Sequence, residues 1–71
     1  MLSVSQLQAI ASAGAGFSID GSKFSTSQLQ SIVASAKPES TIIINNSSHF
    51  AVSQLQSIAA ASKGNVFFND L

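Results

Sequence analysis

Few side chains of this 71-residue chain could perform acid–base or ionic chemistry: three acidic residues, three basic residues and one histidine. His49 could act as a general base, but no Ser-His-Asp or Cys-His arrangement surrounds it, which favours a solvated turn position. The carboxylates of Asp20, Glu39 and Asp70 occupy unrelated places in the sequence pattern, so they predict no catalytic pair. We therefore expect no enzymatic activity and no catalytic residue, and the sequence indicates no cofactor.

Two motifs that suggest ligand binding have simpler structural explanations. Gly14-Ala15-Gly16 follows a predicted helix and precedes a predicted strand, the reverse of the order that directs a helix N-terminus at a phosphate. Asp20, Asn45 and Asn69 each close a predicted strand and could bind a cation. Their favoured role is to cap turns and to form a side-chain ladder between adjacent strands. No metal site is therefore predicted.

The scarcity of charge restricts the classes of partner. The net charge is zero, and charged residues make up 8% of the chain, against roughly a quarter in typical proteins. We expect neither nucleic acid nor a membrane as a partner, because the chain has no basic footprint and no apolar run of about 18 residues. A surface made mainly of Ser, Gln, Asn and Ala resists self-association poorly.

The tetrapeptide Ser-Gln-Leu-Gln occurs three times, beginning at Ser5, Ser27 and Ser53. The intervals fall at the lower end of the range of about 20–50 residues that is typical of solenoid and array proteins. The near-identity of the copies also fits a designed or recently duplicated sequence. We interpret residues 1–71 as one domain of three repeats, which cover about 2–23, 24–49 and 50–71.

Each repeat begins with a predicted helix. Ser3 and Gln6 match the Ser-x-x-Gln capping box, and Ser25 begins a second copy of it. In the third repeat Ala51 replaces the serine, so this helix start should be weaker by about 1 kcal/mol. Hydrophobic staples are predicted to pair Leu2 with Leu7, Phe24 with Leu29 and Phe50 with Leu55. We expect the two staple phenylalanines to be largely buried.

An apolar stripe with i, i+3, i+4 spacing predicts the face that each helix turns inward. Its members are Val4, Leu7, Ile10 and Ala11; Leu29, Ile32, Val33 and Ala36; and Val52, Leu55, Ile58 and Ala59.

After each helix, a short run of branched and aromatic residues predicts a strand, at 17–19, 41–44 and 66–68. Strands joined through a helix run parallel. The predicted fold class is α/β, with three helix–strand repeats, a small parallel three-stranded sheet and helices on one face. Phe17, Ile19, Ile42, Ile44, Val66 and Phe68 should face the helices, whereas Ser18, Ile43 and Phe67 should lie on the open face.

This arrangement resembles a short, leucine-rich-repeat-like α/β solenoid. The resemblance lies in the period, in the helix–strand alternation and in the Asp20, Asn45 and Asn69 position that closes each strand. The chain departs from the family's Leu-x-x-Leu-x-Leu-x-x-Asn pattern, because here the Asn or Asp directly follows the last apolar strand residue. By analogy with the family, the resemblance implies ligand recognition by the open sheet.

The open face is the expected interaction surface, because a parallel sheet rarely leaves one face bare. Small domains without disulfides or metals often gain stability by oligomerisation, and neither outer strand carries a lysine or proline that would block pairing. We expect a non-enzymatic structural or self-assembling module, a homo-oligomer with a dimer favoured, which associates through Ile43, Phe67 and Ser18. The face is only slightly favoured over the sheet edge. The alternative is a protein-binding module that recognises a different chain with the same face.

Overall fold

Helices and strands alternate along the chain in the computed structural model, which describes residues 2–63 and 65–71. The elements are α1 (Val4–Ser12), β1 (Phe17–Asp20), α2 (Thr26–Ser35), β2 (Ile42–Asn45), α3 (Val52–Ala61) and β3 (Val66–Phe68). Two short 3₁₀ turns, Gly21–Lys23 and Ser47–His49, lead from β1 into α2 and from β2 into α3. The α/β fold class predicted from the sequence is confirmed.

The three strands form one open parallel sheet in the order β1-β2-β3. Phe17 is opposite Ile42, which in turn is opposite Val66. The same backbone bond begins both strand junctions: the Phe17 amide donates to the Thr41 carbonyl, and the Ile42 amide donates to the Asn65 carbonyl, each at 2.9 Å. Each strand therefore joins the next by the same register and the same bonding pattern.

The core lies between the sheet and the helices. Ile42 and Ile44 of the central strand are fully buried, whereas Ile43 between them is not part of the core. This alternation places Ile43 on the face of the sheet that points away from the helices. The buried apolar residues are Leu7, Ala11, Leu29, Ile32, Val33, Ala36, Ile42, Ile44 and Ile58.

The helix starts follow the predicted capping pattern. The Ser25 hydroxyl accepts the Gln28 amide at 3.2 Å, while the Gln28 side chain accepts the Ser25 amide at 2.8 Å. Ser3 makes the same reciprocal pair with Gln6. At α3 only half of the box remains, because the Ala51 amide donates to Gln54 Oε1 at 2.8 Å but alanine has no side-chain acceptor.

Several predicted inward positions are more exposed than expected. The staple residues Phe24 and Phe50 are not among them, because both pack against the core and only a minor part of each side chain is exposed. They precede the helices at the rim of the two layers. Leu2 is 45% exposed and Val52 is 71% exposed. Both lie at the start of an outer helix, which has a neighbouring helix on one side only.

One close approach at this rim requires glycine. A Cβ atom at Gly21 would lie 2.7 Å from Cγ2 of Ile44 and 2.9 Å from the Asn45 carbonyl oxygen. It would also stand 3.3 Å from the Phe50 ring. The first 3₁₀ turn can therefore pack directly against β2 only because residue 21 has no side chain.

Candidate functional site

The residues with acid–base potential do not form a reactive cluster in the described part of the chain. His49 is exposed, its Nδ1 atom lies 2.8 Å from the Asn46 carbonyl oxygen, and its ring stacks at 4.0 Å on Phe50. Lys63 donates from Nζ to the Ala34 carbonyl oxygen at 2.7 Å, near the C-terminal end of α2. Among residues 2–63 and 65–71, no three His, Cys, Asp or Glu side chains are grouped so that they could hold a metal ion.

A ladder of polar side chains crosses the sheet near the carboxyl ends of the strands. Asn69 donates from Nδ2 to Oδ1 of Asn45 at 3.0 Å, and Asn45 donates from Nδ2 to the Ser18 hydroxyl at 2.6 Å. The link between Asn45 and Asn69 agrees with the ladder expected from the sequence. The expected third member, Asp20, does not join it, and Ser18 takes that place. Asp20 cannot donate a hydrogen bond when ionised, and its carboxylate is engaged elsewhere.

Asp20 caps the first 3₁₀ turn, in agreement with the predicted turn-capping role. Its Oδ1 atom accepts from the Ser22 hydroxyl at 2.6 Å, from the Ser22 amide at 2.9 Å and from Nδ2 of Asn46 at 2.9 Å. These bonds stabilise the ionised form and lower the pKa of Asp20 from 3.8 to about 2. The Ser22 hydroxyl has the largest effect, and the side-chain amide of Asn46 has the next largest. The carboxylate is thus a structural acceptor and is poorly suited to proton transfer near neutral pH.

Asn46 connects all three strands at this end of the sheet. Its side chain donates to Asp20, the last residue of β1, and its backbone amide donates to Oδ2 of Asp70 after β3 at 3.0 Å. Both Asn46 and Asp70 have positive φ angles, 57° and 62°. The place of Asn46 in the sequence predicts only a turn residue. The sequence did contain a signal for this role. Asn46 directly follows Asn45, and Asp70 directly follows Asn69. Asn and Asp adopt the left-handed region more readily than most residues.

The open face carries one apolar row across the sheet. Ser18 is opposite Ile43, and Ile43 is opposite Phe67, so the three predicted open-face residues lie side by side. Ser18 is exposed, Ile43 is partly buried and Phe67 is 58% exposed. The apolar part of the row is therefore centred on β2 and β3, next to the ladder of Asn45 and Asn69.

A second apolar surface lies along β1, where the sheet ends. It is a cleft of about 310 Å³. Its lining consists of Leu2, Leu7, Phe17, Ser18, Ile19, Asp20 and Phe24. This cleft was not predicted from the sequence, which places its apolar members in the first staple, the first strand and the second staple. The sequence did contain a signal for the cleft. Leu2, a staple residue, precedes the first helix, and β1 is the first strand, so both were expected at the outer end of the fold.

Two serine hydroxyls are buried, and both have structural hydrogen-bond partners. The Ser40 hydroxyl donates to the Ala11 carbonyl oxygen at 3.0 Å, and the Ser47 hydroxyl donates to the Ile44 carbonyl oxygen at 2.8 Å. Within the described residues, no buried side-chain nitrogen or oxygen atom lacks a hydrogen-bond partner. The buried polar groups of this fold therefore satisfy the backbone and do not point to a ligand.

Comparison of the chain with protein-family models, curated proteins and solved structures finds no match. In the part of the chain that the structure describes, no helix has the length and apolar character needed to cross a membrane. The candidate functional surfaces are thus the open face, with Ile43 and Phe67, and the cleft along β1.

Proposed function

We propose that this chain is a non-enzymatic structural module that self-associates through the open face of its sheet, most readily as a homodimer. The observation that carries the proposal is Phe67, which is 58% exposed on the face away from the helices. Ile43 lies beside it in the same row of the sheet. A two-fold contact uses the same patch on both copies, so each Phe67 ring would pack against the apolar row of the other copy.

Burial of the exposed apolar area of this face favours association. Burial of an aromatic side chain removes about 150–250 Å² from water, and each Å² of apolar area contributes roughly 25 cal/mol. Only the exposed 58% of Phe67 can still be removed from water, so two copies together contribute at most several kcal/mol against the loss of translational and rotational freedom on association. The low charge of the chain, 8% charged residues, leaves little electrostatic repulsion to oppose the contact.

We propose in addition that the architecture is a leucine-rich-repeat-like α/β solenoid with repeats at about 2–23, 24–49 and 50–71. Support comes from the sequential order of the parallel strands and from the identical backbone bonds at the two strand junctions. In such a solenoid every repeat contacts its neighbours only. The sheet then remains available for association.

The experiment that tests the proposed function compares Phe67→Asp with Leu71→Asp. Leu71 is 75% exposed and lies outside the strands, so its substitution removes a similar exposed apolar group away from the apolar row. Light scattering coupled to size-exclusion chromatography should show that Phe67→Asp dissociates the assembly, whereas Leu71→Asp does not. Circular dichroism should show the same helical content in both variants. Equal masses for the parent and both folded variants would contradict the proposal.

The second candidate function is recognition of a different protein chain by the same face. The observation that favours it is the ordered ladder of Ser18, Asn45 and Asn69, which places fixed amide and hydroxyl groups beside the apolar row. Polar groups of this kind provide directional selectivity beside an apolar anchor. A folded parent chain that stays monomeric at high concentration would favour this function over self-association.

A further inference from the structure

Corresponding residues of the three helices differ in exposure according to the neighbours of their helix. Ala11 in α1 and Val33 in α2 are fully buried, but the corresponding Ala59 in α3 is exposed. Likewise Leu7 and Leu29 are buried, whereas the third copy of this leucine, Leu55, is only partly buried and lies outside the core cluster. These positions are covered when another helix–strand unit follows, and no further unit follows α3 among the described residues.

A second set of positions shows the opposite dependence. Ile32 in α2 and Ile58 in α3 are fully buried, whereas the corresponding Ile10 in α1 is partly buried. This position is covered when a helix–strand unit precedes. Each helix therefore has a preceding flank and a following flank, and the two outer helices each leave one of them without a neighbour.

The sheet has the same polarity. The Phe17 amide donates to Thr41 in the first junction, and the Ile42 amide donates to Asn65 in the second. Val66 is in register with the donors Phe17 and Ile42, so its amide points away from β2, to the bare edge of β3. Gly16 precedes β1 as Thr41 precedes β2 and Asn65 precedes β3, so its carbonyl corresponds to the two acceptors. The two edges of the sheet thus offer the complementary halves of the junction that the chain already makes twice.

Apolar shape and charge fit the same pairing. The preceding end includes the cleft of about 310 Å³ along β1, lined by Leu2, Leu7 and Phe24 among others. The following end carries Leu55 and Phe68, which are partly buried. The three helices and β2 and β3 contain no charged residue, and the one charge within β1, Asp20, is held by Ser22 and Asn46.

We propose that these two ends bind each other in successive copies of the chain, with α3 and β3 of one copy docking on α1 and β1 of the next. The strand β3 pairs with β1 of the second copy in parallel, so that Val66 is opposite Phe17 and Phe68 is opposite Ile19. Leu55 of the first copy enters the cleft of the second. The contact extends the helix layer and the sheet together. It repeats the junction that α1–β1 makes with α2–β2 and that α2–β2 makes with α3–β3.

This contact joins two different surfaces, so it is heterologous and does not close into a two-fold dimer. Successive copies would form an open linear assembly. The inference goes beyond the proposed face-to-face association, because it uses the ends of the sheet and of the helix layer, and either contact can exist without the other.

Two substitutions block the ends separately. Ala59→Glu places a charge on the following flank, where the corresponding Val33 is fully buried, and Ile10→Glu does the same on the preceding flank. The matched controls are Ala60→Glu and Ala9→Glu, because these positions and their counterparts in the other helices are all exposed. If Ile10→Glu lowers the helical content, Leu2→Glu serves in its place. Leu2 lines the cleft at the preceding end and is 45% exposed, so the substitution places a charge in the contact and leaves the open-face row unchanged.

The test is native mass spectrometry of Ala59→Glu, of Ile10→Glu and of their equimolar mixture. Each variant alone should lose all species larger than a dimer. The mixture should form a heterodimer in large excess over both homodimers. The reason is that the following end is intact in Ile10→Glu and the preceding end is intact in Ala59→Glu, so the two variants can bind each other. The control variants should keep the larger species of the parent.

The possible outcomes separate this inference from the proposed function. Homodimers and heterodimers in statistical proportion would overturn the end-to-end contact while supporting association through the face. Larger species that persist in both end-blocked variants would also overturn it. A parent chain that is monomeric throughout would overturn the end-to-end contact and the face-to-face dimer together.

Discussion

The hydroxyl of Ser40 donates a 3.0 Å hydrogen bond to the carbonyl oxygen of Ala11, which ties the turn before β2 to the C-terminal end of α1. Both residues are buried. The Lys37 amide approaches the same oxygen at 3.4 Å. The end of the first helix is therefore satisfied by the second helix–strand unit, as the end of α2 is by Lys63 from beyond α3.

Ser40→Ala should lower the free energy of unfolding by about 0.5–1.5 kcal/mol, the usual net contribution of one hydrogen bond, because the Ala11 carbonyl oxygen keeps its 3.0 Å bond from the Gly14 amide. Urea denaturation of the variant and of the parent measures this difference. Ser48→Ala, in the exposed part of the second 3₁₀ turn, is the control and should be close to neutral. Equal losses at the two serines would mean that the bond to Ala11 contributes nothing specific.

Ala51→Ser should raise the free energy of unfolding by about 0.5–2 kcal/mol, because it completes the capping box of α3. The backbone is already suitable: Ala51 has φ −71° and ψ 158°, close to the −77° and 165° of the capping Ser25. Thermal and urea unfolding measure the gain. The gain should shrink when Gln54→Ala is introduced as well, and a serine that destabilises the parent chain would contradict the capping geometry.

Leu29→Ala should cost about 2–5 kcal/mol, the range for a fully buried leucine, and the same change at Leu55 should cost clearly less at low concentration. Leu29 is fully buried in the central helix, whereas Leu55 is partly buried in an outer one. Unfolding of both variants in dilute solution provides the comparison. Similar losses at the two positions would show that the flank of α3 is covered within a single chain.

Asp20 should make the stability of the fold depend on pH in the acid range. Its pKa is lowered from 3.8 to about 2 in the folded chain, so the ionised carboxylate stabilises the fold fully above the unfolded value. That contribution is lost progressively as the pH falls through the interval between the two values. Asp20→Asn should lack this part of the pH dependence in urea unfolding between neutral pH and pH 2. Parallel stability curves for the parent and the variant would contradict the role of Asp20.

The elements of the fold could be predicted from the sequence because their signals are local. Ser25 and Gln28 mark a helix start through a bond between residues three apart, and Ile42 to Ile44 predict a strand by composition. The assignment of Ile43 to the open face followed from the period of two in a strand. Local patterns of this kind determine the order of the elements and the face that each one buries.

Burial at the ends of the chain could not be predicted in the same way. Val33 and Ala59 occupy the same place in the helix pattern, yet Val33 is fully buried and Ala59 is exposed. The reason is that α2 is followed by α3, whereas no helix follows α3 in the part of the chain that the structure describes. The same reasoning explains Val52, which the stripe predicted to be inward and which is 71% exposed. A repeated pattern describes the local environment of a central unit and says nothing about which units lack a neighbour.

The polar contacts at the carboxyl end of the sheet were predicted only in part. The sequence indicated a ladder, and Asn45 and Asn69 form it. The bridge from Asn46 to Asp20 and Asp70 depends on left-handed backbone at residues 46 and 70, which redirects the chain after β2 and after β3. The bonds of Asn46 to Asp20 and Asp70 depend on this path of the backbone. The spacing of these residues in the sequence therefore did not reveal them.

The concentration dependence of mass for the unmodified chain tests the central claim most directly. Sedimentation equilibrium should be run from low micromolar to near-millimolar concentration, with circular dichroism to establish that the chain is folded. We predict that the average mass rises well above the 7.3 kDa of one chain as the concentration increases. A folded chain that keeps the mass of 7.3 kDa over the whole range would contradict self-association through the sheet.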